Sequence, residues 1–500
     1  MYSFWQYSTA VFRINELAGM GGRLDHFLLG VLVLVIVALS LTSALHALIM
    51  KRDPRSALGW IVTSITLPVI GPFFYWTMGV NWISRTARQW LESGRLFAGW
   101  DDFPARVDLR VAGDLPPEAS NLRELRALSD RLVSSALLSG NSILPLKNGE
   151  TAYPAMLAAI EGAASSIHLS TYIFDSDITG RRFADALKLA ADRGVEVRVI
   201  IDSLGEKYSR PPIRTFLRGS RVKVGKFLPL RQGGYVNLRN HRKILVVDGK
   251  TAFTGGMNIG DRHLVERNGK PPAVADMHFR VEGQVVADLQ RVFLEDWYFT
   301  TGELLADQSC FPLLAETGSA MARVVGDGPD KEFRKLHWII MGALACARKR
   351  VLIMTPYFVP DRPLISALAT TALRGVDVTL VLPSCNNLPF VHWASRAYLW
   401  ELLQMGINVY YQPAPFVHTK LFLVDGVWSL IGSANMDSRS LRLNFELDLE
   451  VYDAPFAGLL EQDFMDAVAR SHRVTLEEMD ARSLPVKLRD ATAKLFSPYL

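Results

Sequence analysis

Cysteine is scarce in this chain of 500 residues: only Cys310, Cys346 and Cys385 occur, with no CxxC pair and no His/Cys spacing suited to zinc. A disulfide framework and a structural zinc site are thereby excluded, and the three are expected as reduced, buried thiols. An excess of either sign of charge is small too. A net charge of +5 and a pI near 9.0 give a modest basic excess, which suits anionic partners, lipid headgroup or nucleic acid, without choosing between them. Apolar length is abundant. A mean hydropathy of +0.14 is high for a soluble protein and points to membrane segments.

Two such segments lie near the N-terminus. Phe27 to Met50, FLLGVLVLVIVALSLTSALHALIM, is long enough to cross about 30 Å of hydrocarbon as a helix. It exceeds the roughly 7 to 15 residues of a signal-peptide core, and no small-residue cleavage site closes it. After Lys51, Arg52 and Arg55 a second apolar run covers Ser56 to Val80 and contains Pro68, Gly71 and Pro72. These either kink a spanning helix or turn it back within the membrane. Arg13 and Arg23 precede the pair, and Arg85, Arg88 and Arg95 follow it. Orientation is weakly specified; the expectation is a multi-pass hairpin with the body on the cytoplasmic side.

The length exceeds one ordinary domain and fits two similar halves behind this appendage. In the first half SIHLSTYIF reads as a strand, RRFADALKLAADRG as a helix stopped by Gly194, and VEVRVIID as a strand. The order recurs in VLIMTPYFV, in PLISALATTALRG with Gly375, and in VDVTLVLP. The fold class is therefore α/β: two pseudo-symmetric mixed-sheet domains preceded by an N-terminal membrane helical hairpin. Expected boundaries are 1–25 for an N-terminal segment, 26–82 for the hydrophobic pair, 83–140 for a linker, 141–306 for the first half, 307–329 for an inter-domain linker and 330–500 for the second half.

Each half carries one copy of an unusual pattern, HRKILVVD from His241 to Asp248 and HTKLFLVD from His418 to Asp425. On an extended chain His241 and Lys243 share a face, as do His418 and Lys420, so a base and a cation point to one spot. Asp248-Gly249 and Asp425-Gly426 sit between apolar runs and signal hairpins, so each Asp is either a turn residue or part of the site. The second strand of each hairpin brings back a small-residue tail, Gly255, Gly256 and Asn258 in one copy and Gly432, Ser433 and Asn435 in the other. Two histidines and two lysines meeting across a pseudo-twofold axis suit a phosphodiester: cations hold the non-bridging oxygens and imidazoles divide attack and proton transfer. The neighbouring lysines disfavour a metal site.

HxKxxxxD twice, each followed by G-G/S-x-N, resembles the phospholipase D superfamily. NLRNHRKILVVDG, FTGGMNIGDR, TPYFVPD and IGSANMDSRSLRLNFELDLEV, with LPVIGPFFYW near the N-terminus and LFSPYL at the C-terminus, resemble bacterial cardiolipin synthases in particular. One departure is Ser384-Cys385-Asn386-Asn387 after VLP, where a Ser-Asp pair is expected. The resemblance implies that His241, Lys243, Asp248, His418, Lys420 and Asp425 form the catalytic motifs. It makes His241 the nucleophile in a phosphohistidine intermediate, and His418 the group that protonates the leaving alcohol and deprotonates the incoming one. Lys243, Lys420, Asn258 and Asn435 would bind phosphoryl oxygens, with Ser433 beside them. Each imidazole also needs a carboxylate to fix its tautomer; aligning FRVEG with DLEVYD suggests Asp276 for His241 and Glu446 for His418.

The implied reaction joins two phosphatidylglycerol molecules and releases glycerol, with no metal or cofactor, in a bacterial cell inner membrane. Three alternatives share parts of this signal. A hydrolytic phospholipase D uses the same residues with water as acceptor. A membrane-tethered nuclease would use the basic stretch from Ser203 to Val247, where eleven cations face one acid, Glu206; that stretch reads equally as a solvated face. A non-enzymatic lipid-binding scaffold needs no paired histidines. The matching region of the second half, NNLPFVHWASRAYLWELL, is apolar, which is either core or a surface for acyl chains and makes nucleic acid an unexpected partner.

Overall fold

The computed structural model describes residues 3–51, 53–80, 109–228, 238–266, 272–305, 310–328, 334–441 and 444–497. Arg52, Arg85, Arg88, Arg95 and Arg231 lie outside the described residues. The chain divides into two compact units, Met1–Thr86 and Ala87–Leu500.

In the first unit a helix runs over Ser3–Met50, and its part His26–Met50, 25 residues long, is apolar enough to cross a membrane; at 1.5 Å per residue it measures about 37 Å. The second apolar run is not a second span. Asp53 caps a 13-residue helix, Pro54–Thr66, by accepting from Ser56 N at 2.9 Å, and about 20 Å of helix falls short of the hydrocarbon thickness. Pro68 has no amide hydrogen with which to continue the ladder; beyond it come a short helix Ile70–Phe74 and a π-helical turn Tyr75–Gly79. Side chains of the long helix take up the polar groups of this broken segment: Ser40 Oγ donates to Pro68 O at 3.0 Å, Trp76 Nε1 donates to Ser43 Oγ at 2.9 Å, and Tyr75 OH meets His46 Nδ1 at 2.7 Å. Among the described residues there is thus one helix of spanning length, and the expectation of a multi-pass chain is corrected to that.

The second unit is built on one sheet. Its strands in chain order are β1 (Leu138–Lys147), β2 (Ser166–Thr171), β3 (Glu196–Asp202), β4 (Lys223–Phe227), β5 (Ile244–Val247), β6 (Thr251–Gly255), β7 (Met277–Glu282), β8 (Ala320–Asp327), β9 (Arg350–Met354), β10 (Asp377–Pro383), β11 (Asn408–Gln412), β12 (Leu421–Val424), β13 (Trp428–Gly432), β14 (Glu446–Tyr452) and β15 (His472–Arg473). They hydrogen-bond in the order β15-β11-β10-β9-β12-β13-β14-β8-β1-β7-β6-β5-β2-β3-β4. Outward from the antiparallel β1–β8 seam, the two halves read β1-β7-β6-β5-β2-β3-β4 and β8-β14-β13-β12-β9-β10-β11. The pairing senses match strand for strand: β2, β3 and β4 are parallel, as are β9, β10 and β11, and the hairpins beside them are antiparallel. This is the expected pseudo-symmetric α/β architecture.

Helices cover the sheet because their apolar residues recur on one face. Ile178–Asp192 buries Phe183, Ala184, Leu187, Ala190 and Ala191 and is capped by Asp177. Its counterpart Arg362–Leu373 buries Leu364, Ile365 and Leu368 and is capped by Asp361. The helix Pro389–Gln404, from the apolar NNLPF stretch, is largely core, burying Val391, Ala394, Tyr398, Leu399 and Leu402. Two expected linkers are structural instead: within 83–140, Ala119, Leu122 and Leu125 pack into the second half's core, and within 307–329 lies β8. Cys310 is buried as expected, Cys346 is half-buried and Cys385 is exposed; all three are free thiols.

Candidate active site

Asp248 and Asp425 are turn residues. Both they and the following glycines have positive φ, 53° and 63° in one hairpin, 55° and 70° in the other, the backbone of a type I′ turn that Asp-Gly favours. Asp248 accepts from Ala164 N, Ser165 N and Ser166 N at 2.9, 2.7 and 2.9 Å, which holds its carboxyl below the usual range even though burial acts the other way. Asp425 accepts from Arg348 N, Lys349 N, Arg350 N and Asn121 Nδ2. Each Asp lies five positions beyond its lysine along an extended strand, about 16 Å. The structure therefore does not bring these two acids to the histidines.

The two His-x-Lys pairs lie just before β5 and β12, where the chain has left its own half of the sheet. Phe416–Val417 pairs in parallel with Val274–Ala275, and His418 N donates to Ala275 O at 2.7 Å. On the other side Asn240 bridges to Phe445 in parallel, and His241 N donates to Phe445 O at 2.9 Å. Each histidine is thereby set beside the acid of the opposite half. His418 Nδ1 is 2.8 Å from Asp276 Oδ2, and His241 Nδ1 is 3.3 Å from Glu446 Oε1. The within-half pairing expected from alignment is corrected: the acids occupy equivalent positions, but the histidine segments cross over.

Each carboxylate is clamped before it meets its histidine. Asp276 Oδ1 accepts from Met277 N at 2.8 Å, and a Cβ on Gly256 would stand 2.4 Å from the same oxygen, so that tail position must be glycine. At the equivalent position Ser433 Oγ donates to Glu446 Oε2 at 2.6 Å. Ser440 Oγ and Asn444 Nδ2 donate to Glu446 Oε1 at 2.6 and 3.0 Å. A carboxylate only accepts, so each Nδ1 carries the proton and each Nε2 is left with its lone pair.

Burial and like charge set the protonation states. His241 is lowered by burial, opposed by Glu446. His418 is lowered further, by burial and then by the charges of Lys420, Lys243 and His241. Lys420 Nζ lies 2.8 and 3.1 Å from the two ring nitrogens of His418, nearly equidistant and so against the ring face. Burial lowers Lys420 to about 7 despite Asp276; Lys243 is lowered in the same direction. Two buried lysines and two buried imidazoles in one site present donors that the oxygens of a phosphodiester accept.

Of the other expected residues, Asn258 Oδ1 accepts from Ile173 N at 3.0 Å, leaving its NH2 group for a ligand. Asn435 Nδ2 reaches Ser440 Oγ at 3.3 Å and its Oδ1 is buried without a partner. Ser433 is engaged with Glu446. Sequence reasoning missed Asn444, which also touches His241 Nδ1 at 3.2 Å; it sits two residues before Glu446 and faces the same way on an extended chain. It also missed the aromatic walls: the Tyr172 ring lies tilted against His241 with centroids 4.6 Å apart, and Tyr357 and Phe416 stand 6.1 and 5.9 Å from His418. The unusual Asn387 accepts from Tyr357 OH at 2.7 Å and so braces one wall. Among the described residues no cluster of three or more His, Cys, Asp or Glu could hold a metal ion.

A family model described as "Cardiolipin synthase, PLD-like domain" matches residues 156–297 and 340–468, and one described as "Phospholipase_D-nuclease N-terminal" matches 32–79. The cardiolipin synthase of Geobacillus kaustophilus is 32% identical over 462 residues, covering 90% of each chain. Cardiolipin synthase 2 of Bacillus cereus is 34% identical over 463 residues, covering 90% of this chain and 88% of that one. Cardiolipin synthase 1 of Staphylococcus epidermidis is 32% identical over 489 residues, covering 95% and 99%. Among solved structures, the phosphatidylserine synthase of Haemophilus influenzae superposes with a TM-score of 0.59 at 16% identity, over 76% of this chain and 100% of that one, and so shares the fold. With the doubled His-Lys site on a doubled sheet, these matches place the chain in the cardiolipin synthase family of PLD-like proteins, within the phospholipase D superfamily.

Proposed function

We propose that the chain is a membrane-anchored phosphatidyltransferase that makes cardiolipin from two phosphatidylglycerol molecules. The observation that carries this is the pair of imidazoles, each bonded through Nδ1 to a buried carboxylate of the opposite half, with a lysine beside each. His241 Nε2 attacks phosphorus, the bond to the glycerol oxygen breaks, and His418 gives that oxygen a proton. The second phosphatidylglycerol then gives its hydroxyl proton to His418, its oxygen bonds to phosphorus, and the bond to His241 breaks. Lys243 and Lys420 hold the non-bridging oxygens, helped by Asn258 and Asn435. The substrate's own charge offsets the lysines that depress His418, so binding favours the protonated His418 that the first step uses. No metal or cofactor takes part.

Anchoring by the His26–Met50 helix keeps the enzyme among lipids confined to the same bilayer. With a single span, Arg13 and Arg23 precede it, and Lys51, Arg52 and Arg55 follow, with Arg85, Arg88 and Arg95 further on, so the positive-inside rule favours a cytoplasmic body. The test is to supply labelled phosphatidylglycerol to detergent-solubilised protein without added metal. Cardiolipin with glycerol release, reduced about a thousandfold or more in His241→Ala and His418→Ala, is expected. Phosphatidic acid as sole product would make the protein a hydrolase, and unchanged lipid would refute the donor.

A further inference from the structure

The helix Leu484–Leu495 is turned inside out. On a helix of about 3.6 residues per turn Leu484, Leu488 and Leu495 fall within an arc of about 40°, and they point outward, 68%, 59% and 77% exposed. The charge is on the other side. Asp490 is buried and accepts from Arg396 Nη2, Arg482 Nη1 and Arg489 Nη2 at 3.0, 2.9 and 2.9 Å, with Ala493 buried on the same face. A helix packed only against its own body turns its leucines inward; a row of leucines turned outward marks a surface that meets something apolar.

The row continues onto the neighbouring helix Pro389–Gln404. Phe496 meets Phe390 with ring centroids 5.5 Å apart, and Leu388 and Phe390 are exposed in turn. Tyr398 OH donates to Ser497 Oγ at 2.8 Å, Arg489 lies over the Trp393 ring at 4.6 Å and Lys494 over the Tyr398 ring at 4.3 Å, so the two helices are fastened and the strip is a fixed surface. Leu388 follows Asn387, which accepts from Tyr357 OH at 2.7 Å, and Tyr357 walls His418 at 6.1 Å. The apolar strip therefore starts beside one wall of the catalytic site.

Cations border the strip. From Arg482 to Phe496 the chain carries Arg482, Lys487, Arg489 and Lys494 against Asp490 alone, and Lys487 and Lys494 stand on one flank, about 80° to 100° around the helix from the centre of the leucine row. Leucines on one face with lysines at its flank suit a helix lying in a membrane interface, the leucines among acyl chains and the ammoniums at the phosphates. A second copy of the chain suits it less, because a twofold contact sets the same cations against each other. An anionic leaflet supplies the opposite charge.

We propose that Leu484, Leu488, Leu495 and Phe496, with Leu388 and Phe390, form a docking surface for an anionic bilayer leaflet, which seats the Tyr357 side of the cleft at the lipid headgroups. Its purpose rests on the phosphatidyltransferase reading. A lipid whose acyl chains stay in the leaflet must bring its phosphate to histidines fixed in the protein, and a docked rim shortens that path. The anchor His26–Met50 holds the protein at a bilayer; the strip decides which face of the catalytic body meets it.

The experiment uses the full chain in vesicles of phosphatidylcholine and phosphatidylglycerol, with Leu488→Cys, Cys346→Ser and Cys385→Ser and a fluorophore on the introduced thiol. An interfacial helix lies about 5 to 10 Å into the headgroup and acyl boundary, so lipids spin-labelled high on the acyl chain should quench the probe about twofold or more, and aqueous iodide should not. Quenching by iodide and not by lipid would overturn docking. Protection from both would put another protein surface on the strip, a second copy included, and would overturn it equally. Turnover gives a second measure. Leu484→Ser, Leu488→Ser and Leu495→Ser combined should lower the rate on long-chain phosphatidylglycerol in the bilayer by about tenfold, and change by less than about twofold the rate on dihexanoyl phosphatidylglycerol dissolved below its micellar concentration. Both rates falling together, or neither falling, would remove the strip from substrate delivery. Wild-type protein quenched by lipid that turns over neither substrate would instead overturn the phosphatidyltransferase reading and leave the docking in place.

Discussion

The two halves of the sheet have the same strand order, turns, histidines and lysines, yet the two histidines live differently. His418 is bonded to Asp276 at 2.8 Å, covered by Lys420 and walled by Tyr357 and Phe416. His241 is set at 3.3 Å from a Glu446 already engaged by two serines and Asn444, and Tyr172 walls it. Duplication supplies convergence, since two copies of one hairpin related by a near-twofold axis aim two imidazoles at one point. In the proposed mechanism departure from twofold supplies chemistry, because a nucleophile and an acid need different surroundings at one pH.

The comparison breaks most severely at the acids. Asp276→Asn and Glu446→Gln each remove the group that fixes a tautomer, and each should lower kcat by about a hundredfold to ten-thousandfold in the phosphatidylglycerol assay. Glu446→Gln should also lower the unfolding midpoint, because Ser433, Ser440 and Asn444 all donate to that fully buried side chain. Activity within twofold of wild type in either variant would remove that acid from the account. The turn acids should behave in the opposite sense. Asp248→Ala and Asp425→Ala unpair several backbone amides each and should cost about 2 to 4 kcal/mol of stability by denaturant titration, with the kcat of the folded fraction changed less than about threefold.

The smallest effect concerns pH. Lys420, lowered to about 7, is charged below that pH and loses its charge above it, so kcat/KM should fall on the alkaline side by up to about tenfold per unit. In Lys420→Arg the cation persists, and whatever activity remains should lose that alkaline limb. An unchanged limb would assign it to another group.

Local chemistry was legible and partnership was not. Asp-Gly between apolar runs announced both hairpins, and alternation put His and Lys together, because these depend on neighbours within a few residues. The acid positions were also legible, since Asp276 stands just before β7 and Glu446 at the equivalent place opens β14. Which histidine each serves was not, because Asn240–His241 and Phe416–His418 pair with strands a half-molecule away in sequence, and nothing in their own composition says so. The broken second apolar run shows the reverse limit. Pro68 left both a kinked span and a fold-back open, and side chains of the preceding helix, Ser40, Ser43 and His46, take up the polar groups of a fold-back.

The crossed pairing is tested with a phosphatidyl ester of p-nitrophenol, a donor whose leaving group needs no proton. Nitrophenolate burst and alkali-stable, protein-bound phosphorus label are measured in His241→Ala, His418→Ala, Asp276→Asn and Glu446→Gln. Crossing predicts that Asp276→Asn behaves like His418→Ala, with a burst and trapped label, and that Glu446→Gln behaves like His241→Ala, with neither. If Asp276→Asn grouped with His241→Ala instead, each acid would serve the histidine of its own half and the account would be wrong.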